Sequence, residues 1–229
     1  MRSIFILTLL SLSLFAEGKS LHLVSAEMIN YDYTGSTQGF KDAKVSYTLP
    51  GVSYTYMDKN YIALASVKYS QNQNIGYTAL GSTTIVLEQK GWKYEVGAGY
   101  KFYLGKTFFV GPALLFSDTY TTLDQIIGTR TIRTLKHDTD LRLYGLVGCN
   151  ITKSTLIFGA IELDNDLLSN NYKKDYSQYN VTGTLYQFLE KDFFLYLKYE
   201  QSLRGKNATG TVSGNKNYVG YGFGMGIRI

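Results

Sequence analysis

Along the C-terminal stretch every second residue is apolar. Val219, Tyr221, Phe223, Met225, Ile227 and Ile229 alternate with Gly220, Gly222, Gly224, Gly226 and Arg228. Successive side chains of a strand point to opposite faces, so one face here is greasy and the other is almost bare backbone. A helix would mix both sets on one stripe. The same alternation recurs upstream. Trp92, Tyr94, Val96, Ala98, Tyr100, Phe102 and Leu104 oppose Lys93, Glu95, Gly97, Gly99, Lys101 and Tyr103. Leu141, Leu143, Gly145, Val147, Cys149 and Ile151 oppose Arg142, Tyr144, Leu146 and Gly148, and Phe193, Leu195, Leu197 and Tyr199 oppose Phe194, Tyr196, Lys198 and Glu200. A chain written this way folds into strands with two chemically different faces.

The period divides the chain into about ten strands, over 20–33, 43–57, 61–70, 82–104, 107–119, 137–151, 155–166, 176–190, 193–203 and 217–229. Connectors alternate in length. Asp58-Lys59-Asn60, Gly105-Lys106, Thr152-Lys153-Ser154 and Glu190-Lys191-Asp192 are short. Longer polar connectors are expected near 34–42, 71–81, 120–136, 167–175 and 204–216. Two strands are irregular. Glu27 interrupts the odd face of the first, and a change of parity near Pro50-Gly51 in the second predicts a bulge. The 82–104 segment exceeds the roughly ten residues that cross a bilayer, so it projects past the membrane or bends at Gly91. No repeat or linker divides the chain, which reads as one domain over 17–229.

The N-terminus reads as an address. Arg2 precedes an apolar run over residues 4–16 that ends at Ala16, the pattern of a secretory signal peptide with cleavage after residue 16. Loss of that segment removes one Arg and no acid, taking the formal charge from +5 to +4. The remaining Lys and Arg are scattered, without the clustered patch of a nucleic-acid binder. Charged residues make up only 18% and aromatics 15%, which excludes a disordered chain. The single Cys149 forms no internal disulfide and, among Leu143, Val147 and Ile151, serves as a small apolar residue.

Charges of both signs recur on the face opposite the greasy one: Lys68, Lys93, Glu95, Lys101, Arg142, Glu162, Lys198, Glu200 and Arg228. Aromatics fall near strand ends at Tyr56, Tyr61, Tyr69, Trp92, Phe102, Phe108 and Phe193. Greasy outside, polar inside and aromatic at two borders is the inverted arrangement of a membrane sheet, which must close so that every backbone group is paired. The expected fold is all-β, a transmembrane up-and-down antiparallel barrel of about ten strands, with eight to twelve compatible. The pattern resembles the bacterial outer-membrane β-barrel proteins, in particular the small OmpA-like and porin-like barrels. That resemblance implies location in the bacterial outer membrane, contact with its lipid and lipopolysaccharide, and a C-terminal strand read by the barrel-assembly machinery. The positions that carry this last feature are Tyr221, Phe223, Met225, Ile227 and Ile229, the last being Ile where the family has an aromatic.

A barrel this narrow has an interior that side chains can fill. The inner charges are expected to pair across the lumen, with the inward glycines at 97, 99 and 220–226 making room for Tyr103, Tyr144 or Tyr186. The function expected is non-enzymatic, structural or surface-interacting. The alternatives are a narrow channel for small polar solutes and a hydrolase at the rim. For the last, His137 beside Asp138 and Asp140 is the candidate base, as in omptin-type barrel proteases, with Asp32 or Asp164 and Asp166 as a second acid pair. His22 with Ser25 fails as a deacylase pair because the two fall on opposite faces. Two His and one Cys far apart in sequence offer no metal-ligand spacing, and no cofactor is implied.

Overall fold

The computed structural model describes residues 20–37, 40–79, 83–127, 129–164, 178–189, 192–204 and 215–229. The leader predicted over residues 1–16 and the connector near 167–175 lie outside them, as does nearly all of the one near 204–216. The described residues form β1 (Leu21–Thr37), β2 (Phe40–Met57), β3 (Tyr61–Ala79), β4 (Thr83–Tyr100), β5 (Phe102–Leu104), β6 (Phe108–Ile127), β7 (Arg130–Thr152), β8 (Thr155–Asp164), β9 (Gln178–Phe188), β10 (Phe193–Arg204) and β11 (Asn215–Arg228). Each strand pairs antiparallel with its neighbours, and β1 pairs with β11, so the sheet closes. β4 and β5 both pair with β6 and act as one stave interrupted at Lys101, which makes ten staves. Closure removes the edges that lipid could not satisfy.

At one end, tight turns join the staves. Asp58 accepts the backbone N–H groups of Asn60 at 2.7 Å and Tyr61 at 2.5 Å, a side chain standing in for a backbone acceptor. Gly105 turns at φ +87°, a left-handed conformation that a Cβ disfavours. The other end differs from the sequence expectation. Residues 34–37, 71–79 and 120–127 are strand, not loop, and β7 runs for 23 residues where about ten cross a bilayer. The ladder carries on because backbone pairing does not need apolar side chains: Thr48 donates to Asn30 at 2.5 Å and Ser46 to Asp32 at 2.6 Å across the exposed face. Three tall hairpins, β1–β2, β3–β4 and β6–β7, rise from this hairpin end.

The bulge expected at Pro50-Gly51 is absent. Ile29↔Leu49, Glu27↔Gly51, Ser25↔Ser53 and Leu23↔Thr55 keep one register, all on the inner face. The apparent parity change is real chemistry on an unbroken strand, because inner Leu49 is followed outward by Val52 and Tyr54. Register shifts occur instead at Gly35/Thr37, Ser70/Gln73, Leu143/Tyr144 and Asn150/Thr152. The shift at Ser70/Gln73 lies opposite the Gly91 region where a bend was anticipated.

The two faces sort as the alternation demands. Val24, Met28, Val52, Leu114, Phe116, Ile157, Ile161, Leu195, Leu197, Phe223, Met225 and Ile227 all stand exposed on the outer wall. So large an exposed apolar surface is stable only against lipid. Two aromatic tiers border it. Tyr61 and Tyr100 pack edge to face at 5.1 Å near the turns, and Tyr69 and Trp92 meet at 4.6 Å higher up the same two staves. Eight residues separate the tiers, about 26 Å of strand and about 20 Å of height at a tilt near 40°, close to the apolar band of an outer-membrane barrel.

Candidate functional site

The inner face is built in layers. Nearest the turns, Leu23, Met57, Ile62, Phe109, Leu146, Leu156 and Phe194 form a buried apolar layer, with Phe158, Tyr186 and Phe188 packed against it. It escaped the sequence reading because each strand contributes only one or two such residues. The signal was present, since inner-parity positions just after or before the short turns are apolar on strand after strand.

Above this layer lies a polar chamber of about 180 Å³, room for several waters. Lys68 is 2.7 Å from Glu95 and 3.7 Å from Glu27, and Lys93 is 2.7 Å from the second oxygen of Glu95. Ser66 donates to Glu95 at 3.0 Å and Tyr196 to Glu27 at 2.7 Å. Lys198 meets Glu200 at 2.5 Å, and the Tyr31 hydroxyl donates to the same carboxylate at 2.6 Å. Arg142 holds Asp140 at 2.7 Å, and the Asn180 amide donates to Glu162. Buried ions need this density of partners. Oε1 of Glu162 and Oδ1 of Asn180 are the two buried oxygens left without a partner among the described residues.

Six of the nine anticipated charges, Lys68, Lys93, Glu95, Arg142, Lys198 and Glu200, line this chamber, and a seventh, Glu162, lies buried behind its lining residue Asn180. Two do not. Lys101 occupies the break between β4 and β5, where its ammonium donates to the Asp58 carbonyl and lies 5.4 Å from the Phe109 ring centre. Arg228 keeps inner parity but is exposed at the turn-side mouth. Glu27 and Asp140 complete the network and were not on the expected set. Glu27 had shown only as a break in an apolar row, and Asp140 as a neighbour of His137.

The inner glycines also have different partners from those anticipated. A Cβ at Gly220 would lie 2.8 Å from the Tyr31 ring, and one at Gly226 would lie 2.6 Å from that of Phe194, while the Tyr196 ring fills the space at Gly224. Tyr103 stands partly exposed at the mouth. Tyr221, Phe223, Met225, Ile227 and Ile229 are exposed on the outer wall.

At the rim, Asp118 of the neighbouring stave, not Asp138 or Asp140, partners His137, at 2.6 Å. Asp138 and Asp140 sit on the opposite face of β7. Thr139 donates to Asp118 at 2.9 Å and lies 3.4 Å from the same imidazole nitrogen, Nε2. Acid and hydroxyl therefore meet the same ring nitrogen. Asp32, on distant β1, accepts from Ser46, Asp164 ends β8, and Asp166 lies outside the described residues. His22 faces outward to Tyr54, while Ser25 faces inward to Ser53. Among the described residues no group of three or more His, Cys, Asp or Glu is placed to hold a metal ion.

No protein-family profile and no curated protein sequence matches the chain. Solved structures with a similar architecture include neisserial surface protein A, 12% identical over 90% of this chain and 97% of that one, TM-score 0.40. Ail, the attachment invasion locus protein of Yersinia pestis, bound to the heparin analogue sucrose octasulfate, is 12% identical over 90% and 99%, TM-score 0.39. The outer membrane protease OmpT of Escherichia coli is 7% identical over 91% and 94%, TM-score 0.47. The chain's own ladder and wall carry the structural conclusion: it is an outer-membrane-type β-barrel, all-β, closed, ten-staved, apolar outside and polar within.

Proposed function

We propose that the protein is a non-enzymatic barrel of the bacterial outer membrane whose lumen is shut and whose work is done by the hairpin end. The observation that carries this reading is the apolar layer beneath the polar chamber. A hydrated ion or polar solute crossing the lumen would have to shed water against the buried side chains of Leu23, Met57, Phe109 and Phe194. The cross-paired charges of the chamber act as an internal brace, while the tall hairpins offer exposed polar and apolar side chains, Leu135 and Ile132 among them. The Asp118 carboxylate and the Tyr120 ring hold the His137 imidazole, which supports a structural role for it.

Planar-bilayer recording of the purified chain tests the closed lumen. The expected result is silence, and the double variant Phe109→Ala/Phe194→Ala is expected to produce discrete openings. Steady conductance by the unaltered chain would replace this reading with that of a solute channel. Cleavage of peptide or lipid A by the wild type, lost in His137→Ala, would replace it with the hydrolase.

A further inference from the structure

One carboxylate of the lumen is left out of the ion pairing. Glu27 and Glu95 share Lys68, Glu95 also takes Lys93, Glu200 takes Lys198, and Asp140 takes Arg142. Among the described residues Glu162 has no Lys or Arg within ion-pair distance. The Arg142 charge acts on it, but that guanidinium is tied to Asp140 at 2.7 Å. Glu162 is nonetheless the most buried of these five acids, 1% exposed against 8% for Glu27 and 6% for Glu95. A carboxylate so placed is costly without a positive partner.

Its hydrogen bonds are one-sided. Asn180 gives Glu162 both its backbone N–H and its side-chain amide, the latter at Oε2. Oε1 of Glu162 and Oδ1 of Asn180 stay buried without a partner. Turning the Asn180 amide over would only set oxygen against oxygen. Both orphans are acceptors, and both belong to side chains already joined by a hydrogen bond, so they call for a shared donor or cation. A water would supply donors but no charge. Carboxylate and amide oxygens are hard ligands, suited to hard metal ions and not to zinc. A calcium ion takes six to eight oxygens, usually with several carboxylates. Here one carboxylate is uncompensated, and Lys68, Lys93, Arg142 and Lys198 all face the chamber that Asn180 lines, which opposes a double charge. We infer that Glu162 and Asn180 bind one monovalent metal cation, its shell completed by water of the chamber. The ion enters from the hairpin end, where Asp140 and Arg142 are 29% and 20% exposed, because the apolar layer covers the turn side. The site adds an ion to the internal brace and does not rest on whether the lumen conducts.

Sodium is the probe. The full chain is folded in phosphatidylcholine nanodiscs near neutral pH, with ionic strength held by choline chloride that sodium chloride replaces stepwise. The melting midpoint of the heat-modifiable band is expected to rise saturably with sodium, as it does for any ligand of the folded state. Equilibrium dialysis with radioactive sodium is expected to retain one ion per barrel. Glu162→Gln, nearly isosteric and uncharged, should abolish both effects, and Asn180→Ala should weaken half-saturation by about tenfold or more. Lys153→Ala, in a turn away from the chamber, should follow wild type. A wild-type midpoint that ignores sodium, with no ion retained, overturns the proposal and leaves a proton or a water at Glu162. An equal rise in Glu162→Gln overturns it as a general salt effect. Calcium acting at lower concentration than sodium overturns the monovalent assignment. Should either variant fail to fold, wild-type dialysis and the sodium–calcium comparison decide. Planar-bilayer conductance is read separately, so failure here and failure of the closed-lumen reading are distinguishable.

Discussion

Lys68 is the residue on which the chamber turns. Its side chain is 2% exposed, between Glu27 and Glu95 at 4% and 8%. Lys68→Met would leave two buried carboxylates short of a cation and is expected to cost about 3–5 kcal/mol in urea unfolding of the reconstituted barrel. Adding Glu95→Gln should recover part of that loss, whereas Lys93→Ala, whose side chain is 26% exposed, should cost about 1 kcal/mol or less. Gly224→Val would press a branched side chain into the Tyr196 ring and is expected to destabilise by about 1–3 kcal/mol, seen as a lower melting temperature of the folded gel band. Asp58 gives a pH signature. Burial by itself would raise its carboxyl, but N–H donation from Tyr61 and Asn60, the Tyr56 hydroxyl and the Lys101 charge hold it below the usual carboxylate range. A depressed carboxylate contributes stability above its unfolded value, near 4, and loses it as pH falls through the lower folded one. Asp58→Asn should therefore flatten the acid limb of the stability profile while costing about 1 kcal/mol at neutral pH.

At the scale of elements, the tall β6–β7 hairpin separates two requirements that coincide lower down. Within the lipid, a stave must be both hydrogen-bonded and apolar outside. Above it, only the hydrogen bonding remains, so Thr122 and Asp124 can occupy the outer face of β6. Replacing residues 123–134 by Asn-Gly, a pair suited to a tight hairpin turn, should leave heat-modifiable folding unchanged, because the spanning part lies below. Loss of folding would show that the upper ladder is needed for closure. This is also why the strands outran the sequence reading. Alternation of polarity marks the part of a stave that meets lipid, and a stretch such as residues 120–136, where polar and apolar residues mix on both faces, gives no periodic signal even though its ladder continues.

At the scale of the molecule, closure decides what the inner face becomes. The alternation of Lys93 and Glu95 with Trp92 and Tyr94 showed which residues share a face, and polarity showed which face is inward. It could not show that Glu27 of β1 reaches Lys68 of β3 and Tyr196 of β10, or that Tyr31 reaches Glu200. Those contacts cross the lumen or step over neighbouring staves, and they exist only once a ring of ten has set the diameter.

The sequence by itself determined the strands, their two faces, the apolar wall and the position of the turns, because these depend on period-two geometry and on residues adjacent in the chain. The tertiary structure alone decided the rest. It set the layering of the lumen into an apolar floor and a charged chamber, and the partner of His137. Each of these depends on which residues of different staves come to the same height. Height is fixed by strand register and barrel closure together, and no single strand encodes either.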